Sequence, residues 1–308
     1  MEFGTTEILQ ARSAKNLVDP RRPYAYLVED ECTADGAVES VATIFLTNRE
    51  CPFRCLMCDL WQNTTDETVP VGAIPEQIEF ALSRLPPAKH IKLYNSGNFF
   101  DPRAIPPADY DTILSQVKSF DSVIVENHPR FCNDACLQFG RQVAGEFEVA
   151  IGLETMHPQV LPMLNKQMTT GDFTEAVAKL KRVGIHSRAF ILLKPPSMNE
   201  IDGIVWAVRS AKFAFGFGVR CCSIIPTRGG NGIMERAAEK GVFEPPKLRS
   251  MELVLAELIR LGRGRVFMDL WDAGKFSECE HCCGDRIERM QQMNLQQVVI
   301  PEVACDHC

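Results

Sequence analysis

Seven short apolar runs, separated by six longer stretches of helical periodicity, most narrow what this 308-residue chain can fold into. The runs are Val41–Thr47, Lys89–Asn95, Ser122–Asn127, Glu148–Glu154, Ser187–Lys194, Val219–Ile225 and Arg265–Leu270. They are rich in Val, Ile, Leu and Phe and lack strict polar alternation, the pattern of strands buried on both faces. Between them, Pro75–Leu85, Asp109–Ser119, Asn133–Ala144, Asp172–Val183, Glu200–Phe213 and Lys247–Leu261 carry apolar residues at helical spacing. Gly184 is the expected C-cap of the fourth. This βα alternation predicts an α/β fold with parallel strands and right-handed crossovers. Six or seven units suit a partial (β/α) TIM-like barrel. Residues 1–40 are polar and irregular and read as an N-terminal extension lying on the domain. Residues 41–270 form the expected barrel, and 271–308 a cysteine-rich metal-binding tail.

The formal net charge is -7, and no basic run stands out. Such a surface has little attraction for phosphates, so direct nucleic-acid binding is not expected without a partner. No stretch approaches the roughly 20 apolar residues that span a bilayer, and Met1–Gln10 lacks a basic and an apolar signal region. The 13 cysteines are grouped rather than scattered. Grouped thiolates serving as metal ligands in a reducing cytoplasm are therefore expected, in place of disulfides.

The first group, Cys51-Pro-Phe-Arg-Cys55-Leu-Met-Cys58, follows the first apolar run directly. Thiolates are the ligands of iron–sulfur clusters. Three of them hold a cubane by three irons and leave the fourth open, whereas a purely structural site wants a fourth protein ligand. The plain alternatives are a zinc site completed from elsewhere or buried unpaired thiols. Cys-x3-Cys-x2-Cys after the first strand of a βα chain, with Phe53 and Trp61 nearby, resembles the cluster motif of the radical S-adenosylmethionine (radical SAM) superfamily. The resemblance implies a [4Fe-4S] cluster on Cys51, Cys55 and Cys58, with SAM bound at the open iron. It further implies reductive cleavage of SAM to a 5'-deoxyadenosyl radical that takes a hydrogen from substrate. An electron donor such as flavodoxin or ferredoxin is then expected.

Further SAM-site candidates lie where strands end, because the C-terminal lips of a barrel face its mouth. Ser96, Gly97 and Asn98 follow the second run. The family usually carries a Gly-Gly-Glu turn here, so the match is partial, and an ordinary strand-to-loop turn is the alternative. Glu154 ends the fourth run, Lys166 lies in the loop beyond it, and Lys194 ends the fifth. A carboxylate there suits the ribose hydroxyls or amino group of SAM, and a lysine suits its carboxylate; a lone surface lysine is the alternative for Lys166. Glu126, Asn127 and His128 complete the polar lip.

The blocks Lys92–Pro102, Ile151–Thr155, Leu164–Lys166 and Phe190–Pro196 occur in this order. Together they resemble the radical SAM subunit of archaeosine synthase and its uncharacterised relatives, over roughly residues 41–225. That resemblance implies a partner subunit that holds RNA. The substrate is not carried over, and a modified nucleoside, a peptide and a small metabolite all stay open.

The chain closes with Cys279-Glu-His-Cys282-Cys283 and Cys305-Asp-His-Cys308. Two Cys-x2-Cys pairs can each clamp one side of a four-thiolate site. Cys279, Cys282, Cys305 and Cys308 are the expected ligands of a second [4Fe-4S] cluster or of zinc. Iron is favoured, because the chain must already meet cluster-assembly machinery; Cys283 competes for a place. A helix over Asp285–Met293 and a strand over Gln297–Ile300 are expected between the pairs. The rival from another class is a non-catalytic iron–sulfur or zinc protein, an electron carrier or a binding module. It would neither bind nor cleave SAM.

Overall fold

The computed structural model describes residues 3–308. Its elements run α1 (Thr5–Ala11), β1 (Ala25–Cys32), β2 (Val38–Phe45), α2 (Ala73–Leu82), β3 (His90–Tyr94), α3 (Tyr110–Val117), β4 (Ser122–Asn127), α4 (Asp134–Gln142), β5 (Glu146–Glu154), α5 (Val160–Met163), α6 (Thr170–Arg182), β6 (His186–Leu193), α7 (Glu200–Phe217), β7 (Cys221–Pro226), α8 (Ile233–Glu239), α9 (Leu248–Leu261), β8 (Arg265–Met268) and α10 (Glu280–Gln296). One eight-stranded sheet runs in sequence order, β1 to β8. The β1–β2 pair is antiparallel and every other pair is parallel. This is the expected partial barrel, open between β1 and β8. Among the described residues, no helix is long and apolar enough to cross a membrane.

The seven apolar runs are β2 to β8, and their side chains join the inner faces of the helices in one large core. Gly184 closes α6 in the left-handed region, at φ 78°, where the missing Cβ removes the steric cost. The strand that the sequence did not suggest is β1. It lies inside the segment expected to be irregular, because Glu29-Asp30-Glu31 reads as solvated loop. Glu31 is nevertheless buried. Its carboxylate takes Arg188 Nη2 at 2.5 Å and also pairs with Lys92. Arg188 continues to Glu148 at 2.7 Å, and Arg265 reaches Glu148 at 3.3 Å. Cations from β3, β6 and β8 thus meet carboxylates from β1 and β5 inside the barrel, near the strand starts. Removing one partner would strand a buried charge, at roughly 3–5 kcal/mol.

The tail also departs from expectation. One helix, α10, extends from Glu280 to Gln296, and 297–300 form no strand. The exposed edge of β8 is capped instead by side-chain amides. Gln297 accepts from Val266 N at 2.8 Å and donates to Val266 O at 2.8 Å. Asn294 does the same for Met268, at 2.9 and 2.8 Å. The α10 helix touches both β1 and β8, so it fills the open seam of the sheet and satisfies an edge that would otherwise stay unpaired.

Candidate functional site

The cysteine loop leaves β2 at the C-terminal mouth of the sheet and is held from several directions. Leu56 N donates to Leu164 O at 2.9 Å. Asn165 Nδ2 donates to Arg54 O at 2.7 Å, and Asn231 Nδ2 to Leu56 O and Cys58 O at 2.8 and 3.1 Å. The N-terminal segment covers the loop. Phe3 and Ile8 pack with Leu56 and with Ile233, Met234 and Ala237 of α8. Arg12 and Lys15 pair with Glu50, at 2.7 and 2.9 Å.

Cys51, Cys55 and Cys58 are each partly buried and none is in a disulfide. Burial pushes all three thiols up, Cys55 to about 12; a charge on Cys51 would raise Cys55 further, and charges on Cys55 and Cys51 would raise Cys58. A thiolate set of this kind needs a cation to be ionised at neutral pH. Their sulfurs are not gathered about one point. Among the described residues, the ligand groups whose atoms all lie within 4.8 Å of one another are the four tail cysteines and the trio Glu39, His90 and Asp121. A single zinc would draw its sulfurs to about 3.8 Å, given Zn–S of about 2.3 Å. A cubane spreads its thiolates roughly 6 Å apart because each binds a different iron. The three sulfurs of the first loop are not among the groups gathered that closely, and a cubane does not require them to be.

The Ser96-Gly97-Asn98 turn lies against this loop. Asn98 Nδ2 donates to Cys51 Sγ at 3.2 Å, while its Oδ1 accepts from His128 N at 2.7 Å. A Cβ on Gly97 would sit 3.4 Å from Cys51 Cβ, in ordinary contact. Ser96 adopts φ 52°, and its hydroxyl shares a 2.9 Å hydrogen bond with Tyr24. Beneath the turn, Glu126 Oε1 accepts from Asn95 N at 2.6 Å and Gly97 N at 3.2 Å. Burial pushes its carboxyl up, and these backbone donors work against the shift. Glu126 thus braces the turn from β4 through its backbone amides. Its signal in the sequence was its place at the end of an apolar run.

Glu154 and Lys166 meet. Lys166 Nζ lies 2.5 Å from Glu154 Oε1, with both side chains mostly buried. Burial would lower the lysine, but Glu154, together with Cys55 and Cys51 in their thiolate forms, outweighs it and holds it above the usual lysine range. Glu154 has φ 62°, and Asn165 and Gln167, on either side of Lys166, have φ 52° and 58°. Left-handed backbone at non-glycine residues is costly and concentrates at functional sites.

His128 braces the same wall. Its ring stacks on Phe53, centroids 3.9 Å apart, and its Nε2 lies 3.1 Å from Lys166 O. Nδ1 accepts from Arg130 N at 3.2 Å, so the neutral tautomer protonated at Nε2 satisfies both partners. Burial and the Lys166 charge lower its pKa to about 4.

Lys194, expected among the SAM-site residues, makes its polar contacts with other groups of the chain. It is buried, and its ammonium is held by Glu200 at 2.7 Å, Glu244 at 3.1 Å and Pro245 O at 3.1 Å. The loop turns at φ 53° and packs the lysine stem against Gly203 of α7. Its charge links the strand end to Glu200 and to the segment carrying Glu244 and Pro245.

The tail gathers Cys279, Cys282, Cys305 and Cys308, with all four sulfurs within 4.8 Å of one another. Cys283 instead packs against the main core. Beside Cys58, an open cleft is lined by Met57, Asp59, Leu192, Ile225, Thr227 and Arg228. Asn231 and Asp59 escaped the sequence reading, since nothing local marks them.

No family model matches the chain. An uncharacterised protein of Methanocaldococcus jannaschii is 24% identical over 79% of this chain and 71% of its own length. Archaeosine synthase subunit beta of Methanosarcina acetivorans is 27% identical over 66% of this chain, and that of Thermococcus kodakarensis 25% identical over 63%. The matched segments span 61% and 62% of those two subunits. Among solved structures, Streptococcus suis SuiB in its SAM-bound form superposes over 78% of this chain and 52% of SuiB, with a TM-score of 0.55 at 9% identity. The chain is therefore similar in sequence to archaeosine synthase subunit beta, and its half-barrel shares the fold of the SAM-bound SuiB structure.

Proposed function

We propose that this chain is a radical SAM enzyme whose [4Fe-4S] cluster is held by Cys51, Cys55 and Cys58. The observation that carries the reading is the Cys51-x3-Cys55-x2-Cys58 loop at the C-terminal mouth of a half-barrel, in a chain similar in sequence to archaeosine synthase subunit beta. When bound, such a cluster supplies an open iron for the amino and carboxylate groups of SAM and the electron that cleaves SAM to methionine and a 5'-deoxyadenosyl radical. Around it, this chain's residues orient and exclude. Asn98 donates to Cys51 and thereby ties the Ser96–Gly97 turn to the ligand loop. That turn, held from below by Glu126, offers backbone to the SAM amino group. Lys166 brings a buried positive charge beside Cys51 and Cys55 and attracts the SAM carboxylate. Glu154 fixes that ammonium and reaches SAM's polar groups. A carbon radical is quenched by any stray hydrogen donor, so a closed, pre-positioned site is the main contribution of the protein. Substrate enters at the cleft beside Asp59 and Arg228. The similarity to archaeosine synthase subunit beta supports a partner subunit that presents the substrate.

The test is iron loading. Anaerobic reconstitution should place about four irons on the first loop, with a reduced-cluster electron paramagnetic resonance signal that SAM perturbs. Joint replacement of Cys51, Cys55 and Cys58 by Ala should remove both. Unchanged iron in that variant would overturn the reading.

A further inference from the structure

The tail cysteines are built for a single tetrahedral ion. Cys279 Sγ lies 3.9 Å from Cys305 Sγ, and Cys282 Sγ 3.6 Å from Cys308 Sγ. These separations match the roughly 3.8 Å between sulfurs of a four-thiolate zinc site. A cubane core does not fit among four sulfurs that all lie within 4.8 Å of one another, since its ligands stand roughly 6 Å apart. The contrast with the first loop is internal to the same chain.

The surroundings favour the same answer. Four thiolates around a divalent ion leave a net negative charge. Arg286 donates through Nε to Cys282 Sγ at 3.1 Å, and its Nη2 lies 3.8 Å from Cys308 Sγ. Arg286 in turn pairs with the buried Glu252 of α9. Arg289 pairs with that same carboxylate at 2.8 Å and donates to Ile300 O and Pro301 O, both at 2.8 Å. The chain after α10 is thus led back along the helix, to where its last cysteine pair meets the first. His281 and His307 stack on each other at 3.9 Å and stay outside the ligand group.

We propose that Cys279, Cys282, Cys305 and Cys308 bind one structural zinc that clamps both ends of the tail and thereby fixes α10 in the open seam between β1 and β8. The sequence argument left iron or zinc open and favoured iron; the sulfur spacing supports zinc. The site takes no part in electron transfer: zinc has no redox chemistry. This inference does not rest on the proposed chemistry of the first loop, and its test separates the two.

Purified protein is analysed for metals, and the zinc edge is examined by X-ray absorption. The expected result is one zinc per chain with four sulfur neighbours at about 2.3 Å. It should persist when Cys51, Cys55 and Cys58 are replaced by Ala, and vanish in the Cys305→Ser, Cys308→Ser variant. If that serine variant does not fold, the absorption spectrum of the unaltered chain decides. Stripping zinc with a chelator should raise hydrogen exchange at Val266 and Met268, whose amides α10 and its cap hold. Four irons remaining in the variant that lacks the first three cysteines, or zinc with fewer than four sulfur neighbours, would overturn the proposal.

Discussion

The Glu154–Lys166 pair can be broken from either side, and the structure fixes what each change should cost. The two groups stand 2.5 Å apart, with side-chain exposures of 7% and 12%. Lys166→Met leaves a buried carboxylate without its cation, and Glu154→Gln leaves a buried ammonium with only an amide. Removing one member of a buried pair costs roughly 3–5 kcal/mol. The residual exposure and the retained amide put these two near about 3 kcal/mol. The double variant has neither stranded charge, so its loss should fall short of the sum by roughly 2 kcal/mol. Urea unfolding under reducing, metal-free conditions measures all four corners of the cycle. Additivity within about 0.5 kcal/mol would refute the coupling. SAM affinity provides a second readout in the loaded enzyme. Loss of one charge-assisted hydrogen bond costs about 1.5–3 kcal/mol, so either single change should weaken binding by roughly one to two orders of magnitude. Unchanged SAM affinity in Glu154→Gln would assign the residue to structure or to substrate.

Gly152→Ala approaches the same pair from the backbone. The added Cβ would lie 2.1 Å from Glu154 Oε1 and 2.2 Å from Lys166 Nζ, so SAM affinity should fall by roughly tenfold while iron content stays unchanged. His128 predicts acid sensitivity. Its folded pKa of about 4 lies below the unfolded value of roughly 6.5, so only the unfolded chain gains the proton between them. Stability should fall as pH drops from about 6.5 to 4, by up to roughly 3 kcal/mol, and His128→Gln should flatten that part of the unfolding profile. A variant as steep as the parent would remove His128 as the cause. Gln297→Ala strips the N–H and C=O of Val266 of their side-chain partner. It should cost about 1–3 kcal/mol and speed amide exchange in β8 ahead of the central strands.

The barrel was legible because its strands are buried on both faces. Continuous apolar runs such as Ser122–Asn127 have no reading as solvated loops, and β2 to β8 follow from them. The first strand was hidden by its own acids. Glu31 is neutralised by Lys92 and Arg188, which lie 61 and 157 residues away, and no local pattern carries that information. The same limit explains Lys194. Its position after a strand suggested the mouth, but its direction is set by Glu200 and Glu244, beyond the loop. The cysteine spacing singled out both cysteine groups as candidates, whereas the closeness of the four tail sulfurs exists only in three dimensions. Glu154 and Lys166 were each legible at the lip. That they form one pair follows from the left-handed turns that flank it.

The central claim is that the first loop turns SAM into a radical source, and SAM cleavage tests it most directly. Anaerobically reconstituted protein, given a strong reductant, should convert SAM to 5'-deoxyadenosine and methionine. The chain lacking Cys51, Cys55 and Cys58 should not, while a chain altered at Cys305 and Cys308 should keep its first cluster loaded. No cleavage by the loaded protein, or cleavage that persists without the three cysteines, would contradict the account.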